Sequence, residues 1–265
     1  MGSFWIRQAN VIVGGKRFDS DALDMEFDIP FDDDEEPDIA TVRIYNLSDN
    51  SINTITKAQR FIVNAGYQGD VGTIFMGTLQ NAVTRWLGID KVTEFTVGDG
   101  AQEWLTTEVS ESYAENIRAS AILRDLTGRF GLELGRLQLV NDLVYPKGRC
   151  IDAMLKDAIT QIVLECESTF KISRGKIFIM PYNQGLVTGF VLNSDTGLIG
   201  SPEPFERKEM GETIKGFKIK MLLNHRITVD SILQVQSRTA NGTYRVHKGR
   251  HTSNVDYITE VEVLE

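Results

Sequence analysis

The first hundred residues read as short strands, and one segment alternates strictly between apolar and acidic positions. Leu23, Met25, Phe27 and Ile29 alternate with Asp24, Glu26 and Asp28. That period predicts a strand with one face buried and the other acidic. Val11-Ile12-Val13 closes on Gly14-Gly15, and Val42, Ile44 and Leu47 lead into a polar turn. Phe61-Ile62-Val63 runs into Gly66, and Thr73–Leu79 follows a turn at Gly69-Asp70-Val71-Gly72. Val92, Phe95 and Val97 precede Gly98-Asp99-Gly100, while Pro30 and Pro37 bracket an acidic loop. Short strands punctuated by glycine predict an antiparallel barrel or sandwich.

The period then changes. Ala119, Ile122, Leu123, Leu126 and Phe130 share a helical face, with Gly131 placed as a C-terminal cap. Ile151, Met154, Leu155, Ala158, Ile159 and Ile162 form a second such stripe. Phe170-Lys171-Ile172 and Lys176-Ile177-Phe178-Ile179 flank Ser173-Arg174-Gly175, a hairpin signal.

The last third returns to strands. Phe217, Ile219, Met221 and Leu223 are spaced by Lys218, Lys220 and Leu222; Ile232–Val235, Thr243–Val246 after Asn241-Gly242, and Tyr257–Val263 follow. The two strand regions share an order: VRIYNLS, FIVNAGY, GTIFMGTLQ, VTEFTV against FKIKMLLN, ILQVQS, GTYRVHKGR, ITEVEV. Such a repeat predicts one unit used twice. The expected fold is α+β and mostly β: antiparallel β-barrels over 1–109 and 183–265, with a small α+β insert of two helices and a hairpin over 110–182.

Composition narrows the function. The 265 residues are 42% hydrophobic and 25% charged, an ordinary globular balance. No apolar run approaches the roughly 20 residues of a membrane span. MGSFWIRQANVIVGG lacks the features of a secretory signal, so synthesis in a cytoplasm is expected. Cys150 and Cys166, with no CxxC pair, read as reduced packing residues. Net charge is −9, yet residues 18–42 hold eleven acids and no base. Residues 207–250 hold ten Lys/Arg against three acids. Opposite patches on one chain suit self-association; a nucleic-acid binder would carry a basic face overall. The candidate interface or lumen residues are therefore Asp24, Glu26, Asp28, Asp32, Asp33 and Asp34 on the acidic side. Lys215, Lys218, Lys220 and Arg226 are their basic counterparts.

Catalytic chemistry finds no footing. His225, His247 and His251 are the only histidines, and the last two flank Gly249 in a strand-and-turn pattern. There is no HExxH, GxSxG, phosphate-binding GxxxxGK[ST] or calcium-loop pattern. Neither an enzyme nor a bound metal or cofactor is expected.

The run Thr41–Ser48, with Ala65-Gly66-Tyr67 and Ile74–Gly77, resembles the N-terminal barrel of baseplate hub proteins of tailed phages, the gp27-like or late-control-type tail proteins. Thr196–Pro202 and Leu222–Ile227 resemble the opening of their second barrel, and Gly242–His251 its closing hairpin. Ile122–Leu126 with Phe130-Gly131-Leu132 resembles the intervening insert. Val229-Asp230-Ser231 departs from the family, where related chains often carry a glycine-containing turn. The resemblance implies tube-like barrels and a homotrimer presenting six of them to a six-fold tube. It also implies a virion-tail location, with tube protein above, spike, fibre or distal tail proteins below, and DNA passing without sequence-specific binding. A hexameric tail-tube or distal-tail ring is the alternative, and a tail-borne peptidoglycan hydrolase a more distant one. A phage-derived bacteriocin or secretion machine would carry the same pattern.

Overall fold

The computed structural model describes residues 6–32, 38–55, 59–98, 107–129, 133–173, 176–181, 185–209 and 212–264. The chain forms two compact units. One contains Met1–Asp33, Asp38–Gly98 and Gly185–Glu265; the other is built from Asp99–Gln184.

The first unit starts with β1 (Arg7–Val13), β2 (Lys16–Asp19), β3 (Met25–Phe31) and β4 (Ile39–Tyr45). A short helix α1 (Asp49–Thr54) is capped by the Ser48 side chain, which accepts from the Ser51 N–H. β5 (Arg60–Tyr67), β6 (Asp70–Leu87) and β7 (Asp90–Gly98) follow. After the second unit come β15 (Leu186–Leu192), β16 (Leu198–Glu209), β17 (Glu212–Leu222), β18 (Ser231–Gln236), β19 (Asn241–Ser253) and β20 (Tyr257–Leu264). Among the described residues they form one sheet in the order β16-β17-β20-β19-β3-β4-β7-β6-β5-β1-β2, with β18 on β19 and β15 on β18.

The repeat read from sequence reappears as topology. The order β4-β7-β6-β5 recurs as β17-β20-β19-β18, and β3 flanks β4 as β16 flanks β17. Corresponding ladders share a Thr-Glu step. Thr93 and Thr259 are both buried, while Glu94 faces Arg43 and Glu260 faces Lys220 on the neighbouring strand. Each strand set has its own apolar core. Phe61 and Phe95 centre the first, with rings 5.4 Å apart; Ile219, Leu233, Val246 and Val263 line the second. Burying one such side chain contributes about 1.5–3 kcal/mol.

The second unit holds β8 (Glu108–Tyr113), β9 (Ile117–Arg118), α2 (Ala119–Arg129), β10 (Glu133–Leu137), β11 (Val144–Tyr145), β12 (Arg149–Met154), α3 (Leu155–Glu165), β13 (Ser168–Ser173) and β14 (Lys176–Pro181). Ala119, Ile122, Leu123 and Leu126 of α2 meet Leu155, Ala158, Ile159 and Ile162 of α3 in one core. Asp142 acts as a remote N-cap for α2, accepting from the Ser120 N–H (2.9 Å) and hydroxyl (2.8 Å). β13 and β14 form the expected hairpin, with Phe170 opposite Ile179.

Several sequence expectations are corrected. Ile151 and Met154 belong to β12, not to the helical stripe, which starts at Leu155. Pro30 lies inside β3, opposite Arg250, rather than opening the loop. The turn before β6 is shorter than expected, with the strand starting at Asp70, and the strand runs on to Leu87. Residues 80–87 are all exposed, so no buried face imposes a period on them. Gly88, at φ +65°, turns the chain into β7 with Ile89. Asp230 itself adopts a left-handed conformation, φ +63°, uncommon for a residue with a side chain. Its buried carboxylate is held by Arg245 at 2.9 Å. The expected cap at Phe130-Gly131 and the turn at Arg174-Gly175 lie outside the described residues, as do Asp33 and Asp34.

Candidate assembly interface

The strongest structural feature around the expected site residues is the seam where β3 pairs antiparallel with β19, joining the two strand sets. Gly249 faces Phe31, Arg250 faces Pro30, His251 faces Ile29 and Thr252 faces Asp28. The absence of a side chain at Gly249 is required here: a Cβ would come within 2.6 Å of both the Glu260 carbonyl and the Phe31 ring. His251 is buried, its ring 4.9 Å from that of Phe31 and its Nδ1 2.9 Å from the Thr259 hydroxyl. Arg250 reaches Asp28 at 3.0 Å.

Two further clamps join the strand sets. The buried Tyr257 hydroxyl donates toward the Gln8 carbonyl (2.8 Å) and the Gly66 carbonyl (3.1 Å), and accepts from the Gly66 N–H (2.9 Å). Gln8 and Gly66 face each other across β1 and β5, so a β20 side chain is spliced into that ladder. Burial pushes the Tyr257 phenol well above its ordinary value, keeping it a neutral donor. Asp70 accepts two hydrogen bonds from Arg226, at 2.6 and 2.7 Å, with His225 at 3.2 Å. The Arg226 bonds hold its carboxyl below the ordinary aspartate range, against a smaller opposing effect of burial.

The outer face carries rows of alternating charge. In the first strand set Glu26, Arg43, Glu94 and Arg85 line up across β3, β4, β7 and β6, with separations of 3.7, 2.7 and 3.1 Å. In the second, Glu262 is met by Arg207 (2.6 Å), Lys248 (3.5 Å) and Lys218 (3.6 Å). Burial opposes ionisation of Glu262, but those cations outweigh it and its carboxyl titrates below the usual glutamate range. Between β16, β19 and β3 this face forms a groove of about 710 Å³ with Asp32, Glu203, Lys218, Lys220, Lys248 and Arg250 on its walls. Its walls thus carry side chains of both signs.

The expected residues therefore occupy two places. Glu26 and Asp28 lie on β3, an interior strand paired on both sides, and Asp32 lies at its end on the groove. Asp24 precedes β3. On β17, Lys215 meets Glu206 (3.5 Å), Lys218 meets Glu262, and Lys220 meets Asp256 (3.2 Å) and Glu260 (3.8 Å). Arg226 lies beyond β17 on Asp70. Within the chain β20 and β19 separate β17 from β3 in the sheet, yet Asp32 at the end of β3 shares one groove with Lys218 and Lys220 of β17. Sequence reasoning missed Arg43, Glu94, Arg250 and Glu262; the recurring Thr-Glu step was their visible signal. It also missed the β6–β7 arm, where Trp86 is 70%, Leu87 65% and Ile89 91% exposed. Among the described residues no group of three or more His, Cys, Asp or Glu side chains is placed to hold a metal ion. No described helix is long and apolar enough to cross a membrane.

No family model matches the sequence, and no curated protein matches it. Solved structures do. A tail protein from Neisseria meningitidis aligns at TM-score 0.71 and 9% identity, over 98% of this chain and 97% of that one. A 43 kDa tail protein of prophage MuSo2 from Shewanella oneidensis aligns at 0.69 and 8%, over 97% and 96%. An E. coli component of the type VI secretion system, itself described as similar to the T4 tail proteins gp27 and gp5, aligns at 0.60 and 10%, over 96% and 75%. At these identities the likeness is one of fold. The chain has the α+β, mostly β fold of phage tail proteins, the class to which the sequence resemblance pointed.

Proposed function

We propose that this chain is a structural, non-enzymatic hub at the tip of a phage-type tail, forming a ring between the tube above and spike, fibre or distal proteins below. Regions 1–109 and 183–265 would each act as one tube-like barrel, carrying 110–182 as the insert. Three copies would present six such units to a six-fold tube and line a conduit through which DNA passes without sequence-specific contacts. The observation carrying this reading is the duplicated strand order within one sheet, in a chain with the fold of tail proteins. The same likeness extends to a type VI secretion component, so a phage-derived machine fits equally.

The acidic residues Asp24, Glu26, Asp28 and Asp32, with Asp33 and Asp34, fit the conduit wall better than a pairing with a neighbour's β17. Lys215, Lys218, Lys220 and Arg226 already meet carboxylates of their own chain. A wall with an excess of acids repels DNA over about 10 Å at moderate salt, with Glu26 and Asp28 themselves meeting Arg43 and Arg250. Native mass spectrometry tests the ring: a trimer is expected, and a hexamer would favour a tail-tube or distal-tail ring instead. Reversal of Asp24, Glu26 and Asp28 to Lys, measured at two salt concentrations, tests the placement. A ring unchanged by reversal agrees with the conduit wall; a ring lost at low salt returns these residues to the interface.

A further inference from the structure

Asparagine is depleted in strands, yet Asn10 and Asn64 stand directly opposite each other in the middle of β1 and β5. They belong to a polar row that crosses four strands. Asp19 on β2, Asn10, Asn64 and Thr73 on β6 are register partners in turn. The row has a direction: the Thr73 hydroxyl donates to Asn64 Oδ1 at 2.7 Å, and Asn64 Nδ2 donates to Asn10 Oδ1 at 2.8 Å. The next link is not made. Asp19 is turned onto Arg17, which donates to its carboxylate at 2.6 and 2.8 Å. Asn10 is only 6% exposed, and its Nδ2 meets no acceptor among the described residues. Buried polar groups are nearly always paired, so a directed row that ends on an unpaired donor points to a partner from outside the chain.

That donor lies on a pocket. Gln8, Asn10, Arg17, Asp19, Asp21 and Asn64 line a cavity of about 350 Å³ at the β2 end of the sheet, a volume at the small end of small-molecule sites. Its chemistry selects the class of ligand. Asn10 Nδ2 only donates, and the exposed Asp21 carboxylate only accepts. Two carboxylates against one guanidinium leave an excess negative charge, which disfavours phosphate, sulfate or carboxylate ligands. An ammonium ion has donors alone and would leave Asn10 unanswered. Hydroxyl groups both donate and accept, so a ring carrying several of them answers Asn10 and Asp21 together. The second strand set shows that the fold itself does not need the row. There Gln234 on β18 faces Thr243 on β19, as Asn64 faces Thr73. Beyond Gln234 stands Val191 of β15, and the polar row stops. We propose that the pocket binds a neutral saccharide, with one ring hydroxyl accepting from Asn10 Nδ2 and another donating to Asp21. This goes beyond the ring reading and stands without it, because one chain supplies every residue.

Saturation-transfer NMR on the full chain tests this, with glucose, galactose, mannose and N-acetylglucosamine offered singly. At least one sugar is expected to receive saturation, with a dissociation constant of about 1 mM for so small a ligand. Asn10→Leu and Asp21→Ala are each expected to weaken that binding about tenfold. Asp21 is exposed and lies beyond the end of β2, so its variant decides the matter if Asn10→Leu fails to fold by its melting profile. N-acetylglycinamide, which offers a peptide group without hydroxyls, is expected to stay silent. No transfer to any of these sugars overturns the proposal. So does binding that survives in Asp21→Ala or in a folded Asn10→Leu, and so does a response to N-acetylglycinamide in place of the sugars, which would make the pocket a peptide site.

Discussion

Replacing Tyr257 with Phe keeps the ring and removes only the hydroxyl. The ring packs edge-on against Phe27 (6.0 Å) and Tyr67 (5.6 Å), contacts that Phe reproduces. What disappears is the bridge between β1 and β5: the acceptor for the Gly66 N–H and the donor to the Gln8 carbonyl. A buried group left without a partner costs about 1–3 kcal/mol. Gly66 cannot easily shift to compensate, because a Cβ there would already lie 2.9 Å from Val71 Cα, a measure of how tightly the turn into β6 packs on it. We expect a loss of about 2 kcal/mol, or about 4–8 °C in the melting of the sheet unit at its size. Urea titration measures the first and calorimetry the second. Amide exchange at Gly66 should accelerate while exchange in α2 stays unchanged. A loss under about 0.5 kcal/mol, with Gly66 still protected, would show that β1 and β5 close directly and that the hydroxyl is not part of the ladder.

Three other outcomes follow from the same geometry. Asp70→Asn should cost less than about 1 kcal/mol at pH 7, since the Asp70–Arg226 pair is exposed and screened. The folded carboxyl is depressed, so its contribution is present above the ordinary aspartate value of about 3.9 and fades as pH falls through the folded value. The gap between variant and parent in urea midpoint should therefore narrow as pH falls below the ordinary aspartate value; a constant gap would count against the pair. Leu126→Ala opens a cavity in the fully buried core of α2 and should cost about 2–5 kcal/mol, read as proteolytic opening of the inserted unit. Gly249→Ala should displace Phe31 from the seam and cost about 1–3 kcal/mol, seen as a changed environment of His251 by NMR; unaltered His251 signals would refute the close approach.

The alternation along 23–29 made β3 legible because one face is buried and the other solvated, and the stripe at 119–126 made α2 legible for the same reason. The repeat was legible as order and as the Thr-Glu step, since both copies build the same ladder. Residues 80–87 gave no period because neither of their faces is covered, so local pattern could not reveal the arm. The charge clusters were visible, but their partners were not. Arg43 meets Glu94 from 51 positions away, and Asp28 meets Arg250 from the far end of the chain, a proximity set by strand order alone. Thus the sequence by itself determined the strand and helix periods, the duplication and the lack of a recognisable catalytic motif. Tertiary structure decided which strands became neighbours, that β3 closes on β19, and which edges stayed open. Side-chain period is a local property, whereas sheet pairing joins residues more than two hundred positions apart, and nothing local encodes that choice.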